Sequence, residues 1–315
     1  MKILVVGAGG VGGYFGGRLV EFGADVTFLV REGRARQLAE HGLVIKSPVG
    51  DANLKVRTLS AADPGEPFGL IILTCKAYDL PSAMDAAAPH MAAGSGLILP
   101  LLNGMAHVDT LRERFGVDRV LGGVCGIFAT LSPAGEMLHL DKPAIIRFGR
   151  FQDQVARGAL GPETAAIEKL FAGANFASKR IEPAEQILWE KWLMLATMAG
   201  STCLMRGSVG AILSAEDGTA LMEELLAEAI SVATAAGFPP SDGHLANARS
   251  VLFAKGSLAS ASMLRDIQKG GKIEGDHIIG DMLRRARAFG LNTPLLRVAN
   301  AHLQTYEAER VKAAG

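Results

Sequence analysis

The stretch ILVVGAGGVGG, two residues into the chain, constrains the fold more than any other. Lys2 to Gly7 form a short β-branched run that stops abruptly at glycine. Gly7, Gly9 and Gly12 complete a GxGxxG pattern, YFGGRLVEFG continues at helical spacing until Gly23, and DVTFLV reads as a second strand. Glycine-rich turns are common, but one at the head of a strand–turn–helix–strand unit has the context of a dinucleotide site. Its glycines permit a tight turn, the approach of a pyrophosphate and close helix–strand packing. The phosphates then rest on N–H groups at the helix N-terminus. The expected fold class is α/β, with an N-terminal Rossmann-type doubly wound sheet.

The end of the second strand selects the dinucleotide. An Asp or Glu there would bind ribose hydroxyls, but LVREG offers Arg31. A guanidinium can hold a 2′-phosphate bidentately, whereas a carboxylate would repel it. The expected cofactor is NADP(H), bound by Gly7, Gly9, Gly12 and Arg31. Glu32 follows directly, so a solvated Arg–Glu pair is the competing reading.

Further along, GLIILTCKAYD reads as a buried strand ending at Thr74, with Lys76 just past its carboxyl end. GLILPLLNGM repeats the pattern and delivers Asn103-Gly104. Ligands of open α/β sheets collect outside the carboxyl ends of the strands, so both polar residues are expected at one crevice. Taken singly, Lys76 reads equally well as a surface lysine and Asn103-Gly104 as a turn.

After AIIRFGRF the β-type runs thin out. GPETAAIEKLFAGA has helical spacing, FASKRI reads as a last strand, and from Glu182 onward the text is almost wholly helical. A chain of 315 residues is long for a single core. The expected organisation is a nucleotide-binding domain over 1–180 and an all-helical domain over 181–315.

EPAEQILWEKWLMLATMAG places Pro183 in a first-turn position and sets Lys191 ahead of fourteen residues without formal charge. A snorkelling lysine on a buried helix is the plain reading. A catalytic ammonium in a cleft is the sharper one. On that helix Lys191 shares a face with Leu195 and Ala199, and with Thr202 if the helix runs on. Downstream, SASMLRDIQKGGKIEGDHIIGDMLRRARAFG puts Ser262 on one helical segment, Gly270-Gly271 break it, and Glu274 starts the next. Alone, both read as surface residues, the carboxylate being favoured by the helix dipole.

Lys+Arg and Asp+Glu are 32 each, so the formal charge is zero. No global basicity suits nucleic acid or an anionic membrane, and an anionic ligand must be held by a few placed cations. Cys75, Cys125 and Cys203 form no CxxC and the seven histidines show no paired spacing. Neither a disulfide framework nor a metal is expected. The apolar run after Lys191 is shorter than the about 20 residues a bilayer takes. With a strand starting at once and no signal-peptide pattern, a cytoplasmic location is expected.

Together these pieces resemble the ketopantoate reductases (2-dehydropantoate 2-reductases) along essentially the whole chain. The matching text is GAGGVGG, Arg31, CKAYD with Lys76, NGM with Asn103, WEKW with Lys191, SMLRDIQKGGKIEGDHI with Ser262 and Glu274, and MLRRARAFG followed by NTP. The resemblance implies a Rossmann domain and a helical domain that bring NADPH and a 2-keto acid together. It implies Lys191 as proton donor to the substrate carbonyl, with Glu274 near that lysine and the cofactor. Asn103 would touch nicotinamide and substrate, Ser262 the substrate, and Lys76 the same junction. A homodimer is compatible with it, although no surface stripe decides the point.

The chain departs from that family where asparagines usually follow the lysine by one and two turns, here Leu195 and Ala199. The glutamine common before Asn-Gly is Leu102, and Thr202 remains as a polar substrate-binding residue. Each lost amide removes about 1 kcal/mol or more of polar recognition. The expected reaction is reduction of 2-dehydropantoate to pantoate, the alternative being a bulkier or less hydroxylated 2-keto acid. A different NADP dehydrogenase fits the residue spacing less well, and a non-catalytic NADP-binding sensor would leave Lys191 merely structural.

Overall fold

A computed structural model describes residues 1–314 of the chain. They divide into two compact units, Met1–Leu102 with His107–Glu185, and Asn103–Ala106 with Gln186 onward. The first unit runs β1 (Ile3–Val6), α1 (Gly10–Glu21), β2 (Val26–Leu29), α2 (Glu32–His41), β3 (Leu43–Lys46), β4 (Ala52–Leu54), β5 (Arg57–Leu59) and β6 (Leu70–Leu73). It continues through α3 (Leu80–Ala87), β7 (Leu97–Pro100), α4 (Ala106–Phe115), β8 (Gly122–Leu131), β9 (Met137–Gly149), α5 (Gln152–Ala156), α6 (Gly161–Ala172) and β10 (Ala177–Arg180).

Strands β5-β2-β1-β6-β7 form a parallel sheet, with Ile3 opposite both Val26 and Leu70. ILVV, VTFL, LIIL and LILP are buried along their whole length, as a parallel sheet covered on both faces requires. Alternate residues serve different cores: Ile3, Val5, Ile72 and Leu99 pack with Phe15 and Phe28, while Leu4, Val6, Ile71 and Ile98 pack with Met84 and Leu111.

A second sheet, β10-β9-β3-β4 with β8 paired antiparallel to β9, goes beyond the sequence reading. Its buried residues Leu43, Ile45, Ile146 and Phe148 join the core that holds Phe15 of α1. That helix lies between the sheets because its glycines leave room for both. A Cβ on Gly16 would lie 2.7 Å from the Phe28 ring of the first sheet, and one on Gly17 would lie 2.6 Å from Ile45 Cδ1 of the second.

The second unit is helical: α7 (Glu185–Met205), α8 (Val209–Leu213), α9 (Gly218–Ala235), α10 (Asp242–Leu252), α11 (Ser262–Gln268), a π turn (Asp276–Gly280), α12 (Asp281–Ala288) and α13 (Pro294–Ala314). Pro183 precedes α7 instead of sitting in its first turn, and the helix runs unbroken through Gly200. At Gly200 the missing side chain admits Leu225 of α9, whose Cδ2 would lie 2.8 Å from an added Cβ. Helix N-termini leave unpaired N–H groups, and here carboxylates from neighbouring helices meet some of them. Glu228 accepts from Leu295 and Leu296 at 2.9 and 2.8 Å, and Glu190 accepts from the Ser241 N–H at 3.0 Å. Among the described residues no helix is long and apolar enough to cross a membrane, and no cluster could hold a metal.

Candidate active site

The glycine turn is shaped by backbone and by space. Gly7 adopts φ +97°, a left-handed conformation that glycine enters without a Cβ clash, and its N–H donates to the Leu29 carbonyl at 2.9 Å. Thr74, at the end of β6, donates its hydroxyl to the Val6 and Gly7 carbonyls at 2.8 and 3.2 Å. A Cβ on Gly12 would lie 2.1 Å from the Gly7 carbonyl oxygen and 2.3 Å from Thr74 Oγ1, so α1 can approach the turn only with glycine there. Gly9, by contrast, faces open space with nothing within 4 Å of an added Cβ. This fits a dinucleotide: a closed side against the sheet and an open side at the N-terminus of α1, where N–H groups favour phosphate.

Cations cluster at the tips of β2 and β6. Arg31 is 80% exposed and pairs with Asp79 at 2.9 Å, while Glu32 turns away to Arg36 at 2.8 Å. The adjacent Arg–Glu pair therefore does not form. An exposed pair such as Arg31–Asp79 is worth about 0–1 kcal/mol, which leaves the guanidinium available to a phosphate. Asp79 closes the short 3₁₀ turn Ala77–Asp79 that half-buried Lys76 begins, so Lys76 and Arg31 belong to one neighbourhood. Arg34 was not anticipated. Its Nε donates to the Ala8 carbonyl at 3.1 Å and its Nη1 to the Gly135 carbonyl at 2.8 Å, tying the glycine turn to the β8–β9 hairpin. Burial holds the guanidinium pKa below the ordinary arginine value, and Nη2 is buried without a partner among the described residues.

On α7, Glu190, Lys191 and Trp192 point in directions about 100° apart, as a 3.6-residue turn dictates. Glu190 accepts from the Ser241 hydroxyl at 2.7 Å. Burial works against its charge, but the Ser241 and Gln186 hydrogen bonds outweigh burial and hold the carboxyl below the usual range. Trp192 is 1% exposed and donates Nε1–H to the Ile278 carbonyl at 3.0 Å. These flanking anchors fix the rotation of α7 and hence the direction of half-buried Lys191. One turn later Leu195 is also half-buried, but Ala199 is 3% exposed. The Cys203 thiol is pushed up to about 12 by burial and stays protonated at neutral pH.

Thr202, expected to bind substrate, is tied into the backbone of its own unit. It is fully buried, donates to the Met198 carbonyl at 2.7 Å and accepts from the Ala261 N–H at 3.3 Å. Ala261 caps α11, whose first residue is the exposed Ser262, so Thr202 braces the start of Ser262's helix. Leu102 is 4% exposed and packs with Leu73 and Ile98 in the sheet core. Glu274, which alone reads as a surface carboxylate, is 8% exposed and leads into the π turn. Half-buried Asn103 lies in the second unit, where His277 of that turn hydrogen-bonds its backbone carbonyl.

Within the first unit the fold gathers Gly7, Gly9 and Gly12, and separately Arg31 and Lys76. Within the second it joins Asn103, the helix of Lys191 and the segment of Glu274 through one π turn, and joins Thr202 to Ala261, the residue before Ser262. Thr74, Arg34 and His277 escaped the sequence reading. A hydroxyl at the end of a strand beside a glycine turn was a usable signal for Thr74. Arg34 and His277 act on residues far away in sequence and carried no local sign.

The description "Ketopantoate reductase PanE/ApbA" belongs to a family model that matches residues 3–153, and its companion, "Ketopantoate reductase PanE/ApbA C terminal", matches residues 184–307. The chain is 36% identical over 310 residues to the uncharacterized oxidoreductase YkpB of Bacillus subtilis (strain 168), spanning 98% of this chain and 100% of that protein. It is 26% identical over 300 residues to a 2-dehydropantoate 2-reductase of Halobacterium salinarum, spanning 94% and 96%. A PanE/ApbA family ketopantoate reductase from Ralstonia eutropha JMP134 matches with TM-score 0.86 and 26% identity, covering 98% of this chain and 99% of that one. A glycine turn built for a dinucleotide and family likeness through both units lead to one assignment: the chain belongs to the ketopantoate reductase PanE/ApbA family and is a pyridine-nucleotide oxidoreductase.

Proposed function

We propose that this protein uses NADPH to reduce a 2-keto acid, with 2-dehydropantoate the first candidate and pantoate the product. The observation that carries the reading is Lys191, the one cation on α7, half-buried on a helix whose neighbouring residues are anchored elsewhere. Reduced nicotinamide dinucleotide, when held at the glycine turn, would supply the hydride that the keto carbon takes up. Lys191 stabilises the negative charge that develops on the keto oxygen and delivers the proton there. Asn103 orients the reacting carbonyl with its amide, Ser262 binds the substrate, and Glu274 supports the ammonium. Arg31 and Lys76 hold the phosphates of NADPH, and Gly7, Gly9 and Gly12 admit its pyrophosphate. Thr202 serves the substrate side through Ser262.

A second reading is favoured by Leu195, which keeps partial exposure one turn after Lys191 where the family resemblance implies an amide. An apolar side chain there suits a less hydroxylated 2-keto acid. NADPH oxidation measured against a panel of 2-keto acids, hydroxylated and purely aliphatic, separates the readings. A preference of about tenfold or more for the aliphatic acids, about 1.4 kcal/mol, would move the assignment to them. Lys191→Ala is expected to lower kcat by about 10²–10⁴-fold with NADPH affinity kept, the range for a lost general acid. A folded variant with near-normal kcat would remove Lys191 from the chemistry, and no turnover on any acid would leave a nucleotide-binding sensor.

A further inference from the structure

Asn103-Gly104 and the π turn Asp276–Gly280 are far apart in sequence yet share the second unit. His277 makes the junction. Its imidazole hydrogen-bonds the Asn103 backbone carbonyl. Gly104 sits at φ +81° with the histidine pressed against it: an added Cβ would lie 2.9 Å from His277 Cδ2, 3.3 Å from Nε2 and 3.1 Å from the His277 carbonyl oxygen. The next residue, Ile278, accepts the Trp192 indole N–H at 3.0 Å, one position from Lys191. Ile278 also donates its N–H to the Glu274 carbonyl at 3.0 Å. One turn is therefore bonded to the loop of Asn103, to the helix of Lys191 and to the backbone of Glu274. A π turn is a rare departure from the α-helix, found disproportionately at functional sites.

We propose that His277 is a positioning residue, which sets Asn103 relative to Lys191 by clamping the Asn103-Gly104 peptide onto the same turn that Trp192 holds. The inference rests on the roles given above to Asn103 and Lys191. Chemically it asks for a donor facing the Asn103 carbonyl and a flat group facing Gly104, and a neutral imidazole supplies both. Burial pushes the His277 pKa below the ordinary histidine value, against the raising influence of Glu274, Asp281, the Asn103 carbonyl and Asp276. The ring is thus neutral at physiological pH, with a single N–H to donate.

The test uses the full chain with NADPH and its best 2-keto acid. His277→Phe keeps a flat ring and removes the donor; His277→Gln restores a donor near the place of Nε2. Small displacements of a reacting group cost up to about 100-fold, so we expect kcat/KM to fall about tenfold or more in His277→Phe and to stay within about threefold in His277→Gln. In an Asn103→Ala background His277→Phe should cost less than about twofold, because residues acting through one another do not add. Hydrogen exchange of the backbone spanning residues 101–108, without nucleotide, should accelerate in His277→Phe and not in His277→Gln. If His277→Phe folds poorly, Gly104→Ala disturbs the same contact from the other side and should reproduce the kinetic loss. Equal losses in the Phe and Gln variants, full additivity with Asn103→Ala, or unchanged exchange would each overturn the inference. If Asn103→Ala itself retains wild-type activity, the role given to Asn103 falls and His277 falls with it. If Asn103→Ala is impaired while His277→Phe is not, His277 alone is wrong.

Discussion

At the glycine turn of the first unit almost nothing projects. Gly7 and Gly12 close against each other and Thr74, and the side facing Gly9 is left open. At the π turn of the second unit the reverse holds: Trp192 reaches it from α7, and the turn's own His277 reaches the distant Asn103-Gly104 peptide. One is specified by side chains that are missing, the other by side chains that must each find a partner. The two should fail differently. Damage at the glycine turn should be steric and specific to nucleotide, whereas damage at the π turn should be graded and should appear in stability and turnover together.

Gly12→Ala is the strongest break. Its Cβ would lie 2.1 Å from a backbone oxygen, which cannot yield as a flexible side chain could. The helix must shift, and NADPH affinity should fall by about 100-fold or more, about 2.7 kcal/mol, while thermal unfolding of the second unit changes little. Titration of NADPH fluorescence measures it. An alanine variant that binds within about threefold of wild type would mean that this turn does not hold the pyrophosphate.

Trp192→Phe probes the other turn. The ring volume is largely kept, but Ile278 loses a buried donor, a change worth about 1–3 kcal/mol. The melting temperature should drop by several degrees and kcat with it, since the anchor beside Lys191 is gone, and NADPH affinity should hold. A loss of nucleotide binding with normal turnover would reverse the division of labour between the turns. Arg31→Ala should be milder. Its exposed guanidinium already shares Asp79, so KM for NADPH is expected to rise about tenfold and KM for NADH to change little. Equal effects on both nucleotides would deny Arg31 the 2′-phosphate.

The same contrast explains what could be read from the sequence. Gly7, Gly9 and Gly12 were legible because a close approach leaves a local mark: no other residue type fits. The four-residue strands of the parallel sheet were legible because burial on both faces makes them continuously apolar. Of the second sheet only β10 was legible, in FASKRI, because β3 finds its partner β9 across a long interval and β3 and β8 alternate in burial only in part. The bracing by Thr202 and the clamp by His277 were invisible for the same reason. A threonine on a helix and a lone histidine look alike whatever distant atom they reach.

Acidity offers the mildest test, and comparison with His277→Gln isolates its bearing on the π turn. Burial lowers the pKa of His277, and of His139 and His302 elsewhere, below the ordinary histidine value. The unfolded chain therefore takes up these protons at higher pH than the native one does. Where the unfolded state binds more protons, stability rises with pH. The contribution is complete above the ordinary histidine value of about 6.5 and is lost as the pH falls through it towards the lower native values. Melting temperatures followed from pH 8 downward should decline across that window, and the decline should be shallower in His277→Gln, which has no proton to gain. The turn's carboxylates, Glu274, Asp276 and Asp281, oppose the shift without cancelling it, and His139 and His302 contribute to the slope that remains. Identical slopes in the two proteins would show that the ring of His277 keeps an ordinary affinity for its proton. Burial would then not set that proton affinity, and the contrast between the two sites would lose its electrostatic side.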